Sequence, residues 1–297
     1  MLGGVVLAGM TACSSDGDQA EGPEDDVRER SITITETGNG AAAVRQMLTR
    51  ASLTEDEGLT ASWIAGDGLT YCNMSRKNYG TNGVYSGGLT AASTAAASQF
   101  TGSVTCGAGD YLAVVYPATS FSTNTSYTIS LTGQDGTLST LATSYHYVFG
   151  KAYVTSVTDA TADATMQKMK SLLTVCKFSF VNKDGGAAIP VLSLSISYGG
   201  NGSDADTYPQ TATVAIGANT EQADVHAAGV ASGEALTVTC PTAQSAVYVA
   251  LLPTAAERTY RFTVTDGSGN TYKGSAKATL AEGEYVVAEG LRLTKQK

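Results

Sequence analysis

Charge is what this sequence has least of. Only 15% of its residues are Asp, Glu, Lys or Arg, against roughly 25% in ordinary soluble domains. The charge present runs acidic, 27 acidic against 18 basic residues for a net −9. That balance argues against a nucleic-acid partner, which needs a basic surface. Histidine is nearly missing. His146 and His226 stand neither in a metal-ligand spacing nor beside a nucleophile motif, so both read as packed or surface residues. No glycine-rich loop follows a strand and opens a helix, which leaves nucleotide binding unsupported. Asp266-Gly-Ser-Gly-Asn270 has too few acidic ligands for a calcium loop and lacks its distal glutamate, so it reads as a hairpin turn. No catalytic residue, metal or cofactor is expected. The N-terminal apolar run, residues 2–12, falls short of the roughly 20 residues that a membrane-spanning helix takes.

Thr, Ser, Ala, Val and Tyr fill the place of the missing charge, together with 33 glycines. A hydrophobic content of 42% is enough to build cores, so the chain is not a disordered one. Its 297 residues correspond to two domains of about 150 residues each.

The acidity is local. Residues 14–30 hold seven acidic residues against Arg28 and Arg30, more than half of the net charge, and read as a solvated tether. Ahead of it, residues 1–13 end in Met10-Thr11-Ala12-Cys13: small residues before a cysteine, then a polar tether. This resembles a lipoprotein signal peptide, with the Cys13 thiol carrying the lipid, although no Lys or Arg precedes the apolar run. Cys13-Ser-Ser-Asp-Gly-Asp further resembles the acidic export signal of Bacteroidales surface lipoproteins.

From Ser31 onward the pattern is strands. Ser31-Ile32-Thr33-Ile34-Thr35 alternates with period two and reads as a first strand, broken at Gly38-Asn39-Gly40. The acidic turn Glu55-Asp56-Glu57-Gly58 then leads to Trp63, the single tryptophan and expected anchor of the first core. Further strands are expected at 69–73, 99–106, 111–116, 127–131, 151–157, 173–181, 191–198, 211–216, 236–240, 247–252, 260–265, 271–278 and 285–294. Residues 161–172, with Met166 and Met169, are the best helical turn or linker, and the domain boundary is placed there, with proteolytic nicking expected near 161–167.

A repeat supports two related halves. Tyr111-Leu-Ala-Val-Val-Tyr-Pro117 is followed by Tyr127-Thr-Ile-Ser-Leu131, and Tyr248-Val-Ala-Leu-Leu-Pro253 by Tyr260-Arg-Phe-Thr-Val264. Each copy is an apolar strand stopped by proline, which has no N–H to donate, and then an alternating strand. An all-β fold of two tandem β-sandwiches with Greek-key-type connections fits this order, one over 31–165 and one over 166–297. Beyond Cys13 each half carries two cysteines, Cys72 and Cys106, then Cys176 and Cys240. In an exported protein these are candidates for disulfides, three connectivities being possible, with Cys72–Cys106 and Cys176–Cys240 respecting the boundary; the alternative is four buried thiols.

Taken in order, several of these pieces resemble the fimbrillin family, the type V pilins and pilin-like lipoproteins of Bacteroidales. The matching residues are Thr49-Arg50, Ser62-Trp63-Ile64-Ala65-Gly66-Asp67, Gln99-Phe-Thr-Gly102, Tyr111 to Pro117 and Gln134-Asp-Gly-Thr-Leu138. They continue through Ser171-Leu-Leu-Thr-Val-Cys-Lys-Phe-Ser-Phe180, Val249-Ala-Leu-Leu-Pro253 and Leu280-Ala-Glu-Gly-Glu-Tyr285 to Leu293-Thr294-Lys295. The resemblance implies transthyretin-like sandwiches, export as an outer-membrane lipoprotein to the cell surface, and removal of residues 31–50 by a trypsin-like protease. Arg50 matches the family's cleavage position, with Arg45 as fallback. Partner pilin subunits then donate a strand to the groove that Ile32 and Ile34 vacate, giving a fimbria that supports adhesion. No donor segment follows the last strand here, so either 285–295 swings out as donor or the protein is an anchor, tip or accessory subunit. A non-polymerising surface adhesin or glycan-binding lipoprotein is the competing reading.

Overall fold

The structure is a computed structural model. It describes residues 26–37, 52–55, 58–76, 83–167, 169–199, 207–216, 223–227 and 234–297. Cys13, Arg45 and Arg50 lie outside the described residues, as do the signal peptide and most of the acidic tether.

Nearly every described element is a strand. The first half contributes β1 (Arg28–Thr37), β2 (Ser52–Glu55), β3 (Leu59–Ser62), β4 (Gly68–Asn73), β5 (Ser86–Ala91), β6 (Gln99–Cys106), β7 (Tyr111–Tyr116), β8 (Phe121–Thr123) and β9 (Ser126–Ser130). After a short helical stretch, 138–145, come β10 (Val148–Val157), β11 (Thr161–Gln167) and β12 (Lys170–Ser171). The second half contributes β13 (Thr174–Asn182), β14 (Val191–Gly199), β15 (Thr211–Ile216), β16 (Ala223–Ala227), β17 (Leu236–Gln244), β18 (Val247–Leu251), β19 (Arg258–Asp266), β20 (Thr271–Ala278) and β21 (Tyr285–Lys295).

The first half is barrel-like. Its sheet runs β11-β1-β6-β5-β4-β7-β10, and β11 pairs with β10 as well as β1, so the sheet closes on itself. Closure depends on β10 being long and bulged between Val154 and Ser156: its other edge serves β7, while this edge takes β11 and then β12. A closed sheet leaves no exposed edge. Inside lie Ile32, Ile34, Trp63, Leu69, Phe100 and Val114, all at most 2% exposed.

The apolar run of β7 follows from this architecture. Leu112, Val114 and Tyr116 point into the barrel, whereas Ala113 and Val115 join a second, larger core made mostly by the other half. A strand buried on both faces loses its polar alternation. The second core also takes in Leu53, Leu59 and Ala61 of the β2–β3 hairpin. It is walled by the sheet β17-β14-β19-β20-β21-β13-β18. A four-stranded sheet, β16-β15-β9-β8, crosses the middle of the chain, with β9 antiparallel to β15.

Three expectations are corrected. Residues 161–167 are strand β11, paired on both sides, and not a helical linker, so 161–167 is no ready site for nicking. Met166 and Met169 signalled packing instead: a Cβ on Gly150 would stand 2.4 Å from Met166 Sδ and 2.7 Å from Met169 Cγ, so the methionines cover a glycine of β10. The proline-ended repeat does not carry equal pairing, since β9 lies beside β15 and β8 while β19 lies between β14 and β20. What the halves do share is the pairing of first strand with last, β1 parallel to β11 and β13 parallel to β21.

The third correction concerns the cysteines: Cys72, Cys106, Cys176 and Cys240 are all buried and free. Cys72 faces the larger core and Cys106 the barrel interior, on opposite sides of the sheet. Two side chains on opposite faces cannot meet the geometry of a disulfide. Cys176 and Cys240 pack as small apolar groups in the larger core. Burial holds the thiols up, that of Cys72 to about 12, which keeps them unreactive.

Candidate functional site

Strand β1 is the seam of the barrel, and the groove it fills is the candidate site. Ser31–Thr37 run parallel to Thr161–Gln167 of β11, and Arg28–Thr35 run antiparallel to Cys106–Gln99 of β6. Both ladders therefore rest on one short segment. Ile32 and Ile34 point inward as expected, 2% and 0% exposed. Ile34 stands opposite Phe100 of β6, and Phe100 in turn meets Trp63 edge-on at 4.9 Å. Tyr116 closes on the indole from another side at 5.5 Å. Trp63 is wholly buried, and its indole Nε1 has no hydrogen-bond partner, so it acts here as packing volume.

The groove is tight where Ile32 crosses β6. Its partner there is Gly102, and a Cβ at that position would lie 2.6 Å from the Gly88 carbonyl oxygen. Backbone cannot step aside as a side chain does. Gly102→Ala is expected to destabilise the protein by about 1–3 kcal/mol through overpacking, read as a lower midpoint in urea unfolding. An unchanged midpoint would mean that β5 and β6 are looser than they stand here.

Two charged side chains of β1 also turn inward, one at each end of the isoleucine pair. Arg30, 1% exposed, donates to the carbonyls of Thr158 (2.6 Å), Cys106 and Asp26 and pairs with the Asp26 carboxylate. Beside that end of the barrel, buried Asp110 accepts from Arg76 Nε (2.8 Å), Asn73 Nδ2 (2.9 Å) and the Gly107 N–H (2.8 Å). At the other end Glu36 Oε1 accepts from the Met169 N–H at 3.3 Å. Sequence reading missed Arg30 and Asp26 by assigning them to the tether. The available signal was that the period-two alternation extends outward through Arg30 and Glu36 once charge is allowed to face inward.

A third missed residue is Glu55, just past the candidate cleavage position. Its carboxylate accepts from Lys177 Nζ (2.8 Å) on β13, from the Tyr285 hydroxyl (2.7 Å) on β21 and from the Tyr248 hydroxyl on β18. Leu53 of the same strand enters the larger core. The β2–β3 hairpin is thereby fastened to the second half of the chain. Burial would raise the Glu55 pKa, but the hydrogen bonds from Lys177, Tyr248 and Tyr285 outweigh it and bring the value from 4.5 to about 2. The contribution of this cluster is complete above about pH 4.5, the unfolded value, and is lost as pH falls toward about 2. The stability difference between wild type and Glu55→Gln should thus be constant near neutral pH and shrink below pH 4.5; a gap unchanged down to pH 2.5 would contradict the cluster.

His146 is buried, and nothing is described of the His226 side chain. Among the described residues, no group of three or more His, Cys, Asp or Glu is placed to hold a metal ion.

With this geometry in hand, one likeness decides the fold. The chain shares its fold with a proposed cell adhesion protein from Bacteroides uniformis, at a TM-score of 0.53 and 14% identity, over 93% of this chain and 98% of that one. A second proposed cell adhesion protein, from Bacteroides eggerthii, matches at 0.37 and 14% identity over 89% and 88% of the two chains. A Streptococcal ancillary pilin matches at 0.34 and 12% identity over 90% of this chain and 69% of its own. Scores below one half do not establish a common fold, so of these three the first bears on architecture. No family model matches the sequence. No curated protein matches it either. Seen beside the Bacteroides uniformis fold, the barrel and the second core are parts of one arrangement that spans almost the whole of both chains.

Proposed function

We propose that this protein is a cell-surface structural or accessory subunit of a pilus, whose barrel gives up β1 after proteolysis and takes a strand from a neighbouring subunit in its place. The observation that carries the reading is the position of β1: the first strand among the described residues, it completes a closed sheet and fills its core. Removing it exposes the apolar pocket of Ile32 and Ile34 and leaves the facing N–H and C=O groups of β6 and β11 without strand partners, groups that are costly to bury unpaired. An incoming strand repairs both the ladders and the pocket. Repeated head to tail, such a contact builds an open fibre.

The rest of the reading follows the resemblance. Cys13 carries the lipid anchor at the outer membrane, a trypsin-like protease cuts after Arg50 or Arg45, and the halves are transthyretin-like sandwiches in tandem. The β2–β3 hairpin, held by Leu53 and Glu55, stays behind when the strand ahead of it leaves.

While β1 remains covalently attached, its high effective concentration keeps competitors out. Mild trypsin should convert monomer to higher oligomers, and an Arg45→Ala/Arg50→Ala double variant should stay monomeric under the same treatment. Correctly cut, folded protein that remains monomeric at high concentration and is not taken up by partner pilins would overturn the reading.

One observation favours a second reading, a surface adhesin that does not self-polymerise. β21 is hydrogen-bonded to β13 along its length and to β20 at its end, with Leu293 in the larger core, so it is committed to its own fold and is a poor donor.

A further inference from the structure

We infer that the β1 groove is read at its Arg30 end: a strand from another subunit takes the place of β1 only if it brings a guanidinium into the same pocket. This rests on the strand-acceptor reading above and names the chemistry of the partner. Ile32 and Ile34 select little, because branched aliphatic residues are the common currency of strands. Arg30 is different. Its side chain is fully buried, and it satisfies the Thr158 and Cys106 carbonyls, which belong to the barrel and remain when β1 leaves. An apolar residue there takes this donor from the buried Cys106 carbonyl and leaves the half-buried Thr158 carbonyl to water alone. A lone buried cation is equally unfavourable, and Asp26, four residues earlier on the same segment, answers that by pairing with Arg30 through its carboxylate and its carbonyl. The segment therefore enters with its own counter-ion.

The recognised strand carries an acidic residue, then after three residues an arginine, then branched aliphatics two and four residues further on. In this chain Asp26, Arg30, Ile32 and Ile34 supply that order. Arginine is required over lysine because two acceptors on different elements, the turn after β10 and the end of β6, must be reached by one planar group, Nε to Thr158 and Nη1 to Cys106. The partner is thus a protein strand with this acid–arginine–aliphatic spacing, not a generic apolar extended peptide.

The test uses the full chain with a site-specific protease sequence replacing residues 47–50, cut so that β1 stays bound but is no longer covalently held. A fluorescent peptide of residues 26–37 is added in excess and its incorporation followed by anisotropy. The unaltered peptide is expected to enter. Arg30→Gln should weaken incorporation by about 30-fold or more, as expected for losing hydrogen bonds to a charged group. Arg30→Lys should recover only part of it, and Ser31→Ala, on the exposed face, should leave it unchanged. Equal incorporation of the Arg30→Gln and unaltered peptides overturns the inference while leaving the strand-acceptor reading intact. If the unaltered peptide never enters although the cut protein stays folded, the acceptor reading itself falls and this inference falls with it.

Discussion

Trp63→Ala is expected to destabilise the protein by about 3–5 kcal/mol, the largest loss from a single truncation in the barrel. The indole has no exposure and touches both Phe100 and Tyr116 edge-on. Its removal takes away aromatic contacts and leaves a hole that the closed sheet has little freedom to collapse, since each strand is fixed by neighbours on both sides. The loss should show in chemical denaturation as a lower midpoint for the transition that reports the barrel. Trp63→Phe should recover a good part of it, because the Nε1 donor has no partner to lose. A variant with near-native stability would mean that Trp63 does not anchor this core.

Ile34→Asp is expected to displace β1 without any proteolysis. A carboxylate beside Phe100 has no partner there, and burying it uncompensated costs several kcal/mol. The strand is then better left out in water, with the barrel open along β6 and β11. Two outcomes separate this from simple misfolding. Adding an unaltered peptide of residues 26–37 should restore thermal stability to the variant, and Thr33→Asp, on the opposite face of β1, should need no such rescue. A variant that peptide cannot rescue, although its second half remains folded, would show that β1 is not a separable part of the barrel. This experiment connects packing to function, because it asks whether the groove exists as a binding site once its own strand is out.

How much of this was legible beforehand differs from element to element. Residues 99–106, 111–116, 211–216 and 271–278 are strands with the bounds that alternation and turn chemistry predict. Ile32, Ile34 and Trp63 fell in one core, since a period-two run and a lone indole leave few other placements. β11 was misread because Met166 and Met169 suggest a helix, and only the shape of Gly150 across the sheet shows why two flexible side chains are needed there. Arg30 was misread because an arginine at the end of an acidic run has every local reason to face water. The carbonyls that make burial favourable come from Cys106 and Thr158, 76 and 128 residues away.

The sequence by itself determined that this is a β protein with two cores, with little charge to spare and a first strand whose isoleucines face inward. Local pattern suffices for that, because alternation, turn residues and apolar content act over a few residues. Tertiary structure decided which strands meet: that β11 closes on both β1 and β10, that Cys72 and Cys106 face different cores, and that Glu55 reaches β13, β18 and β21. The reason is one of range. A residue's own neighbours in the chain fix whether it is in a strand, but the partner that buries, charges or caps it lies across a sheet, where no local pattern records it.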